Sequence, residues 1–154
     1  MQLSDAFLAL GPDSFGEILR AISIGKLKTY QLYDRMKARV HVPKLNSETL
    51  RKAGPRLWVR VGERDEEFCQ DLAQAILISQ LEMITEVLNF LGIPNDEGFF
   101  AKELDAPKYL TEGWQQRVWD EFRAKVPPAA LQFYINHLAW ELQKEAPVFT
   151  PASA

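Results

Sequence analysis

The longest run of helical hydrophobic periodicity in the chain covers residues 65–91. At about 100° per residue, its apolar side chains fall on one contiguous arc of roughly half the helix circumference. The arc consists of Cys69, Leu72, Ala73, Ile76, Leu77, Met83, Ile84, Val87, Leu88, Phe90 and Leu91. This pattern predicts one unbroken helix of roughly 40 Å. Gly92 and Pro94 predict its end as a Schellman-type cap in which Ile93 approaches Leu88.

Shorter amphipathic segments lie on both sides of this predicted central helix, separated by glycine and proline. They comprise residues 14–25, 29–40, 47–53, 55–61 and 101–104, a helix from Thr111 to the prolines at 127 and 128, and a last helix through Leu142. Gly54 and Pro55 are expected to end one short helix and begin the next.

Only residues 57–61 alternate as a β-strand would, and a single strand has no partner within the chain. The sequence therefore predicts an all-α fold. We expect a single domain over residues 1–154, built as a bundle of about five or six helices around the helix 65–91. Residues 1–12 and 147–154 are expected to be loose ends.

Composition is that of an ordinary soluble globular protein, with 154 residues, 47% apolar and 25% charged. A single cysteine excludes an internal disulfide and fits a reducing compartment. The start of the chain does not resemble a secretory signal, and the uncharged run at residues 72–81 is too short and too polar to cross a bilayer. We therefore expect a cytoplasmic protein without membrane insertion.

Charge is distributed very unevenly along the chain. Residues 20–60 hold eleven Lys or Arg and two Asp or Glu, whereas residues 61–154 hold seven bases and sixteen acids. These segments carry +9 and −9, although the net charge of the whole chain is only −3. A step of this size between regions of one chain is the clearest non-random feature of the sequence.

Three interpretations of the basic segment 20–60 stay open. Its charges can be neutralised by the acidic remainder of the chain, or they can bind an acidic protein or a like subunit. They can also bind nucleic acid, since helices 29–40 and 47–53 loosely resemble a helix-turn-helix. Against that resemblance, the connection is long and the second helix has only about two turns. The bases available to an anionic partner are Lys44, Arg51, Lys52 and Arg56.

Candidate chemistry is sparse. His137 and Glu141 share a helix face at a spacing that metal ligands use, but the chain has no Glu-x-x-His pair for a di-iron site, so we expect His137 to be an ordinary helix residue bonded to a neighbour. Cys69 lies within the apolar arc, which predicts a buried and inert thiol. With no motif for nucleophilic catalysis or phosphate binding, we expect no catalytic residue, metal or cofactor.

Two polar residues, Gln80 and Glu86, fall on the apolar side of the predicted central helix. Each is expected to be buried and to find a hydrogen-bond partner, because an unpaired buried polar group costs about 1–3 kcal/mol. They either bond to a neighbouring helix or form one wall of a small-molecule pocket.

The last helix has two apolar faces. Leu131 and Leu138 form the main one, while Phe133 and Trp140 lie on nearly the opposite side. The second face is either buried in the bundle or forms an interface with a second copy of the chain. Together these features predict a non-enzymatic scaffold or protein–protein interaction module, with a homodimer expected. Nucleic-acid binding by residues 20–60 is the alternative, followed by a small-molecule pocket within the bundle.

Overall fold

All regular secondary structure in the described part of the chain is helical, which confirms the all-α prediction. The computed structural model describes residues 1–30, 47–101, 103–144 and 146–151. Nine helices lie within these ranges: α1 (Leu3–Leu8), α2 (Gly11–Arg20), α3 (Ile24–Thr29), α4 (Ser47–Gly62), α5 (Glu66–Ser79), α6 (Leu81–Phe90), α7 (Ala106–Tyr109), α8 (Trp114–Phe122) and α9 (Pro128–Leu142). The predicted bundle of five or six helices around one central helix is not confirmed.

The contacts divide the chain into two compact units. The first, residues 2–79, contains α1 to α5, and the second, residues 80–154 with Met1, contains α6 to α9. The single domain over residues 1–154 stays a prediction. No helix in the described ranges is long and apolar enough to cross a membrane.

The predicted unbroken helix over 65–91 is wrong, because it divides into α5 and α6 at Gln80. Gln80 adopts φ −117° and ψ 27°, and its carbonyl accepts the first bond of α6, from the Ile84 N–H. Just before it, the Ser79 hydroxyl donates to the Ala75 carbonyl at 3.0 Å and accepts from the Ser23 N–H at 3.0 Å. A serine hydroxyl bonded to the carbonyl four residues back bends a helix, so Ser79 gives the break a local cause that hydrophobic periodicity does not reveal.

The predicted break at Gly54 and Pro55 is also wrong, because α4 runs through both residues. A proline inside a helix removes one backbone hydrogen bond and crowds the preceding turn, at a cost of about 3 kcal/mol. Burial offsets this cost. The buried residues of α4 form a stripe that crosses Pro55 without a change of phase, at Leu50, Ala53, Leu57 and Val61.

In the first unit, α4 packs lengthwise against α2. The rings of Phe15 and Trp58 lie 5.3 Å apart, and a Cβ added to Gly54 would meet Leu19 Cδ1 at 3.3 Å. These pairs fix an antiparallel register, since residue numbers fall along α2 as they rise along α4. The absence of a side chain at Gly54 therefore allows the two helices to approach closely.

Helix α1, near the start of the chain, is part of the core of this unit and is not a loose end. Leu3 and Phe7 in α1 have no exposed surface. The Glu66 carboxylate accepts hydrogen bonds from the Leu3 N–H at 3.1 Å and from the Ser4 N–H and hydroxyl at 3.2 and 2.6 Å. One acidic residue at the start of α5 thus caps the amino-terminal end of α1.

In the second unit, α8 packs against both α6 and α9. The rings of Phe90 in α6 and Phe122 in α8 meet edge to face at 5.5 Å. The indole N–H of Trp114, buried at the start of α8, donates to Gln143 Oε1 at 3.2 Å just beyond α9. Gly98 allows the turn that follows α6 to lie close to Thr85 and Ile84.

Candidate functional site

The side of α4 opposite its buried stripe exposes three basic residues, one aliphatic residue, and also Glu48 and Pro55. Arg51, Lys52 and Arg56 are exposed, and Val59 lies among them with 61% of its surface accessible. At the helical repeat, these four residues occupy an arc of about 140°. We refer to Arg51, Lys52, Arg56 and Val59 as the α4 basic face. Lys44, the other base predicted to serve this surface, lies outside the described residues.

The bases that follow the α4 basic face are held by acids of the same unit. Arg60 pairs with Asp65 at 3.2 Å and lies 4.1 Å over the ring centre of Phe68. Arg64 pairs with Asp5 at 2.7 Å, and this guanidinium holds the pKa of the Asp5 carboxyl below its usual range. The carboxy-terminal end of α4 is therefore electrostatically compensated.

The α4 basic face is compensated far less. Lys52 pairs with Glu48 at 3.3 Å, but both side chains are about two-thirds exposed, and such a surface pair contributes little. Within the described ranges, no ion pair involves Arg51 or Arg56. The antiparallel register also places the exposed Arg20 at the end of α2 beside the amino-terminal half of α4.

These positions bear on the first interpretation of the basic segment, neutralisation by the acidic remainder of the chain. Among the bases of residues 20–60 that the structure describes, only Arg60 pairs with an acid beyond residue 60. Lys26 and Lys28 in α3 are exposed. Internal neutralisation is thus confined to one end of α4 in the described part of the chain.

The second face of α9, predicted from Phe133 and Trp140, is partly covered by the chain itself. Phe133 has no exposed surface, which favours simple burial over an interface at that position, and Trp140 is half-buried. Beside them on the helix lies Asn136, also without exposed surface. Its Nδ2 donates to the Phe149 carbonyl at 2.9 Å, and its Oδ1 accepts from the Phe149 N–H at 2.7 Å. The segment 146–151 is therefore attached to α9 and is not a loose end.

His137 is buried, and its Nδ1 has no hydrogen-bond partner in the described structure. Glu141 Oε2 lies 3.7 Å away, which is too far for a hydrogen bond. Burial lowers the pKa of His137 to about 4 despite this carboxylate. The expected hydrogen bond to a neighbour is therefore not formed at Nδ1. No group of three metal-ligating side chains is found among the described residues.

The hydroxyl of Tyr134, one turn before His137, is also buried without a hydrogen-bond partner in the described structure. Burial raises the pKa of this hydroxyl. Cys69 is buried and unbonded to another cysteine, as predicted. Burial, followed by the nearby Glu66 and Asp65 carboxylates, raises the pKa of its thiol to about 12. A thiol in this setting is not a nucleophile at neutral pH.

Gln80 and Glu86 do not form the predicted buried pair. Gln80 is half-buried at the turn between α5 and α6, and Glu86 is exposed. The expectation of burial is therefore wrong for Glu86, because the buried residues of α6 are Met83, Ile84, Val87 and Leu88 and Glu86 lies outside that stripe. An open depression of about 470 Å³ lies elsewhere, lined by Gln115, Gln143, Lys144, Ala146 and Pro147.

Two residues central to these surfaces are missed by sequence reasoning. Val59 is missed because the predicted helix break at Pro55 leaves the direction of Val59 relative to Arg51 and Lys52 undefined. Asn136 carried a signal, since it is a polar residue beside the apolar second face of α9.

Comparisons of the chain with protein-family models, curated proteins and solved structures gave no match.

Proposed function

We propose that this chain is a non-enzymatic interaction protein that binds an acidic protein partner through the α4 basic face. The observation that carries this proposal is the division of charge along one helix. Arg51 and Arg56 are exposed without an ion pair in the described structure, whereas Arg60 is paired with Asp65 at 3.2 Å.

Electrostatics favour an anionic partner on this face. Exposed charges of one sign raise the rate at which an oppositely charged partner associates. Arginine also binds carboxylates in a bidentate manner, which gives orientation in addition to attraction. Arg51, Lys52 and Arg56 on one helix supply such a surface over about two turns.

The exposed Val59 favours a protein over a nucleic acid. It is the most exposed of the large hydrophobic residues described, at 61%. A phosphate backbone offers no apolar contact for such a side chain, whereas protein interfaces typically combine an apolar centre with arginine around it.

Binding to three probes tests the proposal: an acidic peptide that contains leucine, poly-L-glutamate and mixed-sequence duplex DNA. We expect the acidic peptide to bind most tightly, and Arg51→Gln with Arg56→Gln to weaken it about tenfold or more. Val59→Ser should weaken binding of the acidic peptide and leave binding of poly-L-glutamate unchanged.

Arg123→Gln is the matched control, since it removes an exposed arginine from the second unit. An equal loss from Arg123→Gln and from the α4 variants would show a response to net charge alone and contradict the proposal. Absence of binding to every probe at low ionic strength would also contradict it.

Nucleic-acid binding is the second candidate, and the length of α4 supports it. The sixteen residues of α4 span about 24 Å, whereas the predicted second helix of the helix-turn-helix had about two turns. Under this candidate, duplex DNA binds most tightly, and Val59→Ser has no effect. The logarithm of affinity should fall linearly with the logarithm of salt concentration, and Arg51→Gln should reduce that slope by about one.

A further inference from the structure

Asn136 recognises the backbone of an extended segment. It lies in the middle of α9, has no exposed surface, and exchanges two hydrogen bonds with one residue, Phe149, at 2.7 and 2.9 Å. Two residues that face each other in an antiparallel sheet exchange the same pair of bonds. A side chain here takes the place of a neighbouring strand. Because both bonds go to main-chain atoms, they do not depend on the side chain at position 149.

The segment that Asn136 holds is preorganised for this contact. Residues 146–151 contain prolines at 147 and 151, on either side of Phe149. Proline restricts its own φ and pushes the preceding residue towards an extended conformation. A hydrogen bond from the Ala146 N–H to the Gln143 carbonyl turns the chain at the end of α9. The free segment therefore loses little conformational entropy when it is bound.

The bond to Asn136 places this segment on the second face of α9. On the helical wheel Asn136 lies to one side of Phe133 and Trp140, within about 60° of each. The start of the segment is packed less closely, since Ala146 and Pro147 line the open depression together with Gln115, Gln143 and Lys144.

We propose that this face of α9 is a site for an extended segment, and that residues 146–151 of a second copy of the chain occupy it to form a segment-exchanged homodimer. Exchange replaces each contact within the chain by the same contact between chains, which makes it a low-cost route to a dimer. A second copy supplies both the backbone groups that Asn136 requires and the identical side chains around them. Release without replacement would break both bonds to Phe149 and leave Asn136 only the 3.5 Å bond from its Nδ2 to the Gln132 carbonyl. The loss of these two bonds favours closure of an opened chain on its own segment or on that of a second copy.

Oligomeric state after unfolding and refolding at high protein concentration tests this proposal. Light scattering on the refolded wild-type protein should show a dimer fraction that rises with the protein concentration during refolding. Asn136→Asp keeps the acceptor for the Phe149 N–H but sets a carboxylate against the Phe149 carbonyl. Because the closed monomer and the exchanged dimer contain the same contact, this substitution alone weakens both and should not raise the dimer fraction above that of the wild type.

Complementation separates segment exchange from other dimers. Phe149→Pro removes the N–H that donates to Asn136 Oδ1 and leaves α9 intact. Asn136→Asp leaves the segment intact. In either variant alone, the closed monomer and the exchanged dimer contain the same damaged contacts, so neither state is favoured by the substitution. A refolded mixture should contain a heterodimer, well above the dimer fraction of either variant alone, that joins the intact segment of one to the intact site of the other. Phe149→Ala is the matched control, since it keeps the backbone N–H and should retain dimerisation.

Two results would overturn the proposal. One is a wild-type protein that stays monomeric at every refolding concentration, including the case in which an added peptide of residues 146–151 binds to it. The other is a refolded mixture of Asn136→Asp and Phe149→Pro with no more heterodimer than the dimer fractions of the separate variants give. If Asn136→Asp does not fold, as judged by circular dichroism, Asn136→Ala takes its place in the mixture, since it removes the same pair of bonds.

Discussion

Polar side chains buried along α9 differ in how their hydrogen-bonding groups are used. Asn136 bonds through both ends of its carboxamide, whereas His137 Nδ1 and the Tyr134 hydroxyl have no partner in the described structure. Most buried polar groups in proteins are bonded, and an unbonded one disfavours the folded state. For His137 this cost to the folded state depends on pH, because protonation would place a positive charge at the same buried position.

We predict that His137 destabilises the protein below neutral pH. Its pKa is lowered by burial to about 4, whereas an unfolded histidine has a pKa of about 6.5. Protons therefore bind the unfolded chain more readily, so the stability is full above the unfolded pKa and is lost as the pH falls from about 6.5 to about 4. The loss between pH 7 and pH 4 should be about 3 kcal/mol, measured by chemical denaturation.

Carboxylates also titrate in this range, so the contribution of His137 must be isolated by difference. In His137→Leu, the free energy of unfolding should fall less steeply over the same pH interval, by about 3 kcal/mol. Asp5, whose pKa is lowered by Arg64, is present in both proteins and cancels. Parallel pH profiles for the two proteins would show that His137 titrates normally and is accessible to solvent.

At the scale of single helices, the two wrong boundaries have opposite causes. At Pro55 a strong local signal for a helix end is overridden by the buried stripe of α4. At Gln80 a continuous apolar pattern conceals a real break, because Ser79 bonds both to its own helix and to the Ser23 N–H. In both cases contacts between residues distant in sequence decide the outcome.

We predict that Pro55→Ala stabilises the protein. The substitution restores a backbone N–H inside α4 and removes the crowding of the preceding turn, worth about 3 kcal/mol in a helix interior. The greater freedom of the unfolded chain takes back about 1 kcal/mol. The free energy of unfolding should rise by about 1–2 kcal/mol in urea denaturation. If Pro55 instead began a separate helix, as its sequence context suggests, the substitution would be neutral or destabilising.

The end of α6 is a boundary that local sequence predicts fully. Gly92 has φ +77°, its N–H donates to the Asn89 carbonyl at 3.1 Å, and the Ile93 N–H donates to the Leu88 carbonyl at 2.9 Å. Both bonds of the predicted Schellman motif are thus present. The motif is predictable because all of its partners lie within six residues of one another.

Gly92→Ala should therefore lower the free energy of unfolding by about 1 kcal/mol, since an alanine in the left-handed region is strained by its Cβ. Thermal denaturation measures the change. Gly16→Ala is a matched control, because Gly16 lies inside α2, has ordinary helical φ, and a Cβ added there meets nothing within 4 Å. It should stabilise the protein slightly. Equal effects of the two substitutions would contradict the assigned cap.

The same distinction between local and distant signals applies to the candidate site. Arg51, Lys52 and Arg56 were found from their position in a strongly basic segment, because charge is visible without structure. Their grouping with Val59 could not be found in this way, because it depends on α4 continuing through Pro55. The contact of Asn136 with Phe149 spans thirteen residues and a chain reversal, which no helical periodicity describes.

At the scale of the whole molecule, two different forces could join copies of this chain. The segments 20–60 and 61–154 carry opposite charges of +9 and −9 and would attract each other between copies. The alternative is exchange of residues 146–151, which rests on hydrogen bonds to a buried Asn136. Salt separates these forces, because exposed charges are screened over about 3 Å at 1 M ionic strength, whereas buried contacts are screened much less.

We predict that a dimer formed by refolding at high concentration persists in 1 M NaCl, as measured by sedimentation velocity, because its contacts are those of the segment with α9. Arg51→Gln with Arg56→Gln should leave that dimer unchanged while weakening binding of an acidic peptide. A dimer that dissociates as salt rises, and that the same arginine substitutions abolish, would instead assign self-association to opposite charges. The α4 basic face would then be the surface on which copies meet, and the second copy would itself be the acidic partner.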